Sequence, residues 1–91
     1  PLLHSELRLA IISMLIAAEE VEFSLIKEKT GATAGNISVQ LNKLKDAGYI
    51  KINKSFVRNY PKTSCTISKK GVIAFEAYVE NMKSYLNSKK S

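Results

Sequence analysis

The sequence predicts a mainly α fold with a small β-hairpin, an α+β domain whose elements run helix, helix, helix, strand, loop, strand, long helix. Three observations predict it. Apolar residues recur at helical spacing over residues 5–18, 34–47 and 69–86. A glycine stop at Gly31 is followed by a capping hydroxyl at Thr33, so two short helices meet at a tight turn. Period-two alternation then replaces the helical period at residues 49–54 and 63–68.

The first helix, Ser5–Ala18, is apolar on more than one face. At about 100° per residue, Leu7, Ile11, Met14 and Ala18 form one stripe, and Leu2, Leu9, Ile12 and Ile16 form a second on the opposite side. Glu19, Glu20 and Glu22 read as an acidic turn. A short helix, Phe23–Thr30, buries Phe23, Leu25 and Ile26 and ends at Gly31. The next helix, Ala34–Ala47, has core positions Ala34, Ile37, Leu41, Leu44 and Gly48. Tyr49–Lys54 turns Ile50 and Ile52 inward and Lys51 and Asn53 outward, and Thr63–Ser68 turns Cys65 and Ile67 inward. Between them Ser55–Lys62 reads as a loop, with Tyr60-Pro61 as its turn signal. The last helix, Lys69–Leu86, is capped by Ser68; Val72, Phe75, Val79, Met82 and Leu86 form its stripe, widened by Ala74, Tyr78 and Tyr85. Asn87–Ser91 reads as a frayed polar tail.

With 91 residues the chain has material for one domain and one core, and little to spare for a deep cleft. Fourteen Lys+Arg against eight Asp+Glu give a net charge of +6, which favours anionic partners. No apolar run approaches the roughly 20 residues that span a bilayer, and no secretory leader is evident, so a soluble, cytoplasmic protein without membrane contact is expected. Catalysis finds little support. His4 is the only histidine, no Cys/His cluster has metal-ligand spacing, no Gly-rich phosphate loop occurs, and Glu19, Glu20 and Glu22 have no basic partner to tune them. No enzyme activity, metal or cofactor is expected. The single cysteine, Cys65, on the inward face of a strand, reads as a small buried core residue, with a redox sensor as the alternative.

Two short helices joined by a glycine-containing turn form a helix-turn-helix. By the same angular count the second helix points Asn36, Val39, Asn42 and Lys43 outward, with Ser38 and Gln40 on its shoulders. An exposed valine among amides has no solvation rationale, which argues against a merely solvated face. A helix of this diameter fits the major groove of double-stranded DNA; Asn and Gln can pair with adenine, Val can meet a thymine methyl, and Lys can reach guanine or phosphate. Gly35 leaves the first turn bare beside the Thr33 cap, where a phosphate can approach backbone amides. In the hairpin loop Lys54, Arg58 and Lys62, with Asn59 and Tyr60 between them, can follow a phosphate backbone, and Arg58 is the candidate for a minor groove.

Residues Leu3, His4, Ser5, Arg8, Leu9, Ala10 and Ile11 at the start carry a wider resemblance. So do Gly31, Gly35, Asn36, Ser38, Leu41, Lys43, Leu44, Gly48, Tyr49, Ile50, Ile52, Lys54 and Phe56 in the middle, and Pro61, Thr63, Ser68, Gly71, Ala74, Phe75 and Tyr78 at the end. In this pattern the chain resembles the compact single-domain winged helix-turn-helix regulators of the broad MarR-like class. The resemblance implies a homodimer that sets a recognition helix of each subunit in successive major grooves, with each wing along the backbone. It also implies a transcriptional regulator, more often a repressor, and a small-molecule effector between dimer region and reading domain in many members. Val57 stands where much of the class has an Asp before the wing Arg.

The apolar stripes left over agree with a dimer. Leu2, Leu9, Ile12 and Ile16 on the first helix, and Tyr78, Met82, Tyr85 and Leu86 on the last, are expected to meet a second copy, spacing the recognition helices about 34 Å apart for a pseudo-palindromic site. A winged-helix protein-interaction module and a non-specific architectural nucleic-acid binder are the alternatives.

Overall fold

The computed structural model describes Leu3 and residues 5–90, the side chains of 88–90 excepted; Leu2 and His4 lie outside the described residues. The Ser5 hydroxyl accepts the Arg8 backbone N–H at 3.4 Å and starts α1, Glu6–Ala17. Then follow β1 (Glu20–Glu22), α2 (Phe23–Thr30), α3 (Ala34–Asp46), β2 (Ile50–Val57), β3 (Tyr60–Ile67) and α4 (Lys69–Lys90). The strands form one antiparallel sheet in the order β1-β3-β2.

The segment read as an acidic turn is the strand β1. Val21 pairs with Cys65, flanked by Glu20 with Thr66 and Glu22 with Ser64. Three residues with one buried side chain are too few to carry a period-two signal, and pairing with β3 supplies the order that the local sequence lacks. Its acids cover the outer sheet face. Ser64 donates to Glu20 Oε2 at 3.0 Å, and Lys62 Nζ lies 3.0 Å from Glu22 Oε1.

The hairpin is longer and its turn tighter than expected. The strands continue through most of residues 55–62, and only Arg58 and Asn59 turn, with φ of 51° and 68°. Two successive left-handed residues match the type I′ turn, whose twist suits a two-residue hairpin. Tyr60 and Pro61 therefore belong to β3, opposite Val57 and Phe56. Beyond the core both faces of the ribbon meet water, so hydrophobic alternation vanishes while Phe56, Val57 and Tyr60 still favour extended backbone. Pro61 is tolerated because its pair with Phe56 lies between hydrogen-bonded pairs, and β1 does not reach it.

The core gathers Ile11, Ile12 and Leu15 of α1, Ile26 of α2, and Ile37, Leu41 and Leu44 of α3 against Val21, Ile50 and Cys65 of the sheet. α1 touches α2, α3, α4, β1 and β3, which corrects one expectation: Ile12, assigned to the outward stripe, has no exposure at all. Its own subunit surrounds it. Leu15, which neither stripe included, is buried as well, whereas Ala18, Leu25, Ala34 and Gly48, read as core or turn positions, are exposed. α2 ends as expected at Gly31, left-handed at φ 69°, whose N–H donates to the Lys27 carbonyl at 2.9 Å.

Ser68 joins the hairpin to α4 with both ends of its hydroxyl, accepting from Gly71 N–H at 3.0 Å and donating to the Gly48 carbonyl at 2.6 Å. Gly71 then passes against the chain entering β2. A Cβ there would run into the Tyr49 carbonyl oxygen and stand 2.9 Å from Ile67 Cγ1. α4 continues past the expected end at Leu86 to Lys90, into the segment read as a tail, reaching about 33 Å at 1.5 Å per residue. Its length stretches the molecule to 58 × 26 × 21 Å.

Cys65 sits at the middle of the sheet between Val21 and Ile52, its side chain fully buried. Burial pushes its thiol from 9.0 up to about 11. A native thiol that keeps its proton is a poor nucleophile, so reaction with a thiol reagent at pH 8 is expected to wait for unfolding. The stability follows with a definite sign. Between about pH 9 and 11 the unfolded chain gives up this proton and the folded chain keeps it, so this contribution is whole below 9 and lost as pH rises to 11. Urea titrations of wild type and Cys65→Ala across that range should show an extra loss of roughly 2–3 kcal/mol in the wild type alone, and equal slopes would refute the shift.

Candidate nucleic-acid interface

α3 begins with the Thr33 hydroxyl accepting the Asn36 N–H at 3.1 Å, so Thr33 acts as the cap that holds the first turn. Nothing lies within 4 Å of where a Gly35 Cβ would be. A glycine inside a helix costs about 1 kcal/mol relative to alanine. The fold thus has no steric need for it, and the first turn of α3 is left bare. Ile37, Leu41 and Leu44 anchor the opposite side, and they leave Asn36, Ser38, Val39, Asn42 and Lys43 in the open, Val39 half exposed.

Apart from Val39 and Lys43, the outward residues fall into two ridges. Ser38, Asn42 and Lys45 face the hairpin and, with Lys54 and Thr63 across from them, line an open groove of about 580 Å³ floored by Leu41 and Ile52. Lys45 is a member the sequence reading missed; it follows Ser38 and Asn42 at helical spacing, so the signal was present. The second ridge holds Asn36 and Gln40. Gln40 is only half exposed, because Arg8 of α1 donates to its Oε1 while its Nε2 donates to Asn36 Oδ1 at 3.1 Å. Arg8 could not have been found from spacing, since the contact bridges 32 residues.

At the hairpin tip Arg58 and Asn59 are exposed, and Lys54 stands exposed on the groove side. Lys62 differs from the other cations. It is engaged by Glu22, whose hydrogen bond and negative charge raise its pKa, so a phosphate must compete for it. Phe56 and Tyr60, 77% and 76% exposed, make the tip more apolar than a purely electrostatic contact requires. Among the described residues no group of His, Cys, Asp and Glu could hold a metal ion, and no helix is long and apolar enough to cross a membrane.

Residues 7–86, from α1 through most of α4, match the winged helix DNA-binding domain family. The chain belongs to that family. An uncharacterized protein of Methanocaldococcus jannaschii is 36% identical over 76 residues, 84% of this chain and 83% of that one. The structure of a transcriptional regulator homologue from Pyrococcus horikoshii OT3 superposes with a TM-score of 0.87 at 23% identity, over 96% of this chain and 86% of that one. A mutant MarR from E. coli superposes at 0.78 with 10% identity, over 93% of this chain and 62% of that one. The fold is thus MarR-like in the sense the sequence pattern implied. In winged-helix terms α2 and α3 are the helix-turn-helix, β2 and β3 are the wing, and the groove between Asn42 and Lys54 lies where these two parts meet.

Proposed function

We propose that this winged-helix protein is a sequence-specific regulator of transcription that binds double-stranded DNA as a homodimer and acts as a repressor. The observation that carries the reading is the continuous exposed surface from the bare first turn of α3, through Asn36, Val39, Asn42 and Lys43, across the groove to Lys54 and Arg58. α3 supplies side chains for base edges in the major groove; the wing supplies cations for the flanking backbone. Membership of a DNA-binding family supports the same partner.

The dimer rests on α1 and α4. Ile16, Met82, Tyr85 and Leu86 are exposed apolar side chains and Leu9 is half-buried, so a single subunit leaves much of the expected stripe to water, whereas Tyr78 packs in part against its own core. Ile12 is withdrawn from this set by its burial, and Leu2 lies outside the described residues. The candidate effector site is a cleft of about 530 Å³ between α1 and the α2–α3 turn, lined by Leu7, Met14, Thr30, Ala32 and Asn36 with Glu6 and Lys29 also on its wall. A ligand there would press on a reading residue.

The exposed aromatics of the wing tip favour one second reading, a winged-helix module that docks another protein. Selection of bound duplexes from a random library, with the solution mass measured at the same concentration, separates the readings. An enriched pseudo-palindrome with half-sites about one turn apart is the expected result. Binding that only fades with salt and selects no sequence would leave an architectural binder, and no binding at low salt would leave the docking module.

A further inference from the structure

The amides that α3 offers to a base are not free to choose their own orientation. Arg8 on α1 donates to Gln40 Oε1, and Gln40 Nε2 donates to Asn36 Oδ1 at 3.1 Å. A guanidinium has donors only, so the oxygen of Gln40 must face Arg8 and its nitrogen must face the other way. Asn36 can meet that nitrogen only with its oxygen. The chain of bonds therefore has a single polarity, and its free end is the Nδ2 amino group of exposed Asn36, beside the second N–H of Gln40.

We propose that Arg8 is a positioning residue for base recognition: by fixing this polarity it makes Asn36 and Gln40 present their N–H groups to a base and so prefer acceptor edges, guanine or thymine, over adenine. Adenine in the major groove presents one acceptor and one donor, N7 and N6–H₂, and an amide reads it by turning both its oxygen and its nitrogen to the base. In Asn36 one lone pair of the oxygen is already taken and the oxygen is turned toward Gln40, so the residue offers its nitrogen first and the two-bonded pose on adenine is disfavoured. Guanine presents two acceptors, N7 and O6, and thymine one at O4, all matched by N–H groups. The preference expected from residue types alone, Asn and Gln for adenine, is inverted by a side chain from another helix. The same connection ties α1 to the reading surface, so a shift of α1 reaches the bases through one guanidinium.

This inference deepens the regulator reading and rests on it. The test is duplex selection with wild type, Arg8→Met, which keeps the stem and loses the donors, and Arg8→Lys, which keeps a donor, each checked by thermal melting. Wild type should enrich guanine or thymine at one position of each half-site. Arg8→Met should move that position toward adenine, or lose about tenfold of its preference, with the other positions unchanged, and Arg8→Lys should restore it. A wild-type adenine at the position, or a site left intact by Arg8→Met, would overturn the role of Arg8 and leave the regulator standing. Uniform weakening across all sequences with a lowered melting temperature would make Arg8 structural and overturn it too. Failure of wild type to select any sequence would remove the regulator reading, and this proposal with it.

Discussion

Replacing Met82 and Leu86 together with aspartate is expected to halve the mass in solution and lower affinity for a two-half-site duplex by about 10²–10⁴-fold, while the far-ultraviolet spectrum of the fold persists. Both side chains are exposed on the projecting part of α4, one helical turn apart, so charge at these positions meets water in a single subunit and meets a partner only in the proposed dimer. The loss follows from linkage. The second half-site is bound at the effective concentration the dimer provides, and a monomer forfeits that gain without losing any contact to the first. Affinity for a single half-site should therefore hardly change. Sedimentation and titration of both duplexes check this, and a variant that remains dimeric with full affinity would place the interface elsewhere.

Gly71→Ala is expected to cost about 3 kcal/mol or more, lowering the melting temperature by at least roughly 12 °C in a domain of this size. Its sign is the informative part. In an ordinary helix interior, alanine stabilises by up to about 1 kcal/mol over glycine. Here the new methyl meets the Tyr49 carbonyl oxygen and Ile67 Cγ1, and the same carbonyl accepts the Ser68 N–H at 2.9 Å. Backbone cannot rotate away as a flexible side chain would, so α4 must shift or the bond from Ser68 must break. A melting curve at or above wild type would refute the close approach.

What the sequence disclosed and what it withheld divide along physical lines. Thr33, Gly31 and Ser68 announced their helix boundaries because capping is local chemistry, satisfied within four residues. The outward side chains of α3 were legible because Ile37, Leu41 and Leu44 fix its inward face. β1 was not, since Val21 becomes a strand residue only when Cys65, far along the chain, pairs with it. Ile12 was misplaced for a related reason. Periodicity tells which residues share a face and not how many faces a central helix buries, and α1 has neighbours on several sides. The candidate interface has the same division: the exposure of Asn36 and Val39 followed from the angular count, whereas the engagement of Gln40 by Arg8 and of Lys62 by Glu22 needed the fold.

The shortness of β1 has a dynamic consequence for the wing. β1 pairs with only residues 64–66 of β3, so from Thr63 outward the hairpin is a two-stranded ribbon with neither outer edge paired. Such a ribbon is marginally stable in water by itself, whereas the rung at Cys65 is held from both sides. The tip is therefore expected to open more readily than the core. In the proposed complex, ordering the tip would draw on the binding energy, and a pliant wing would follow backbones of different curvature while α3 keeps its register.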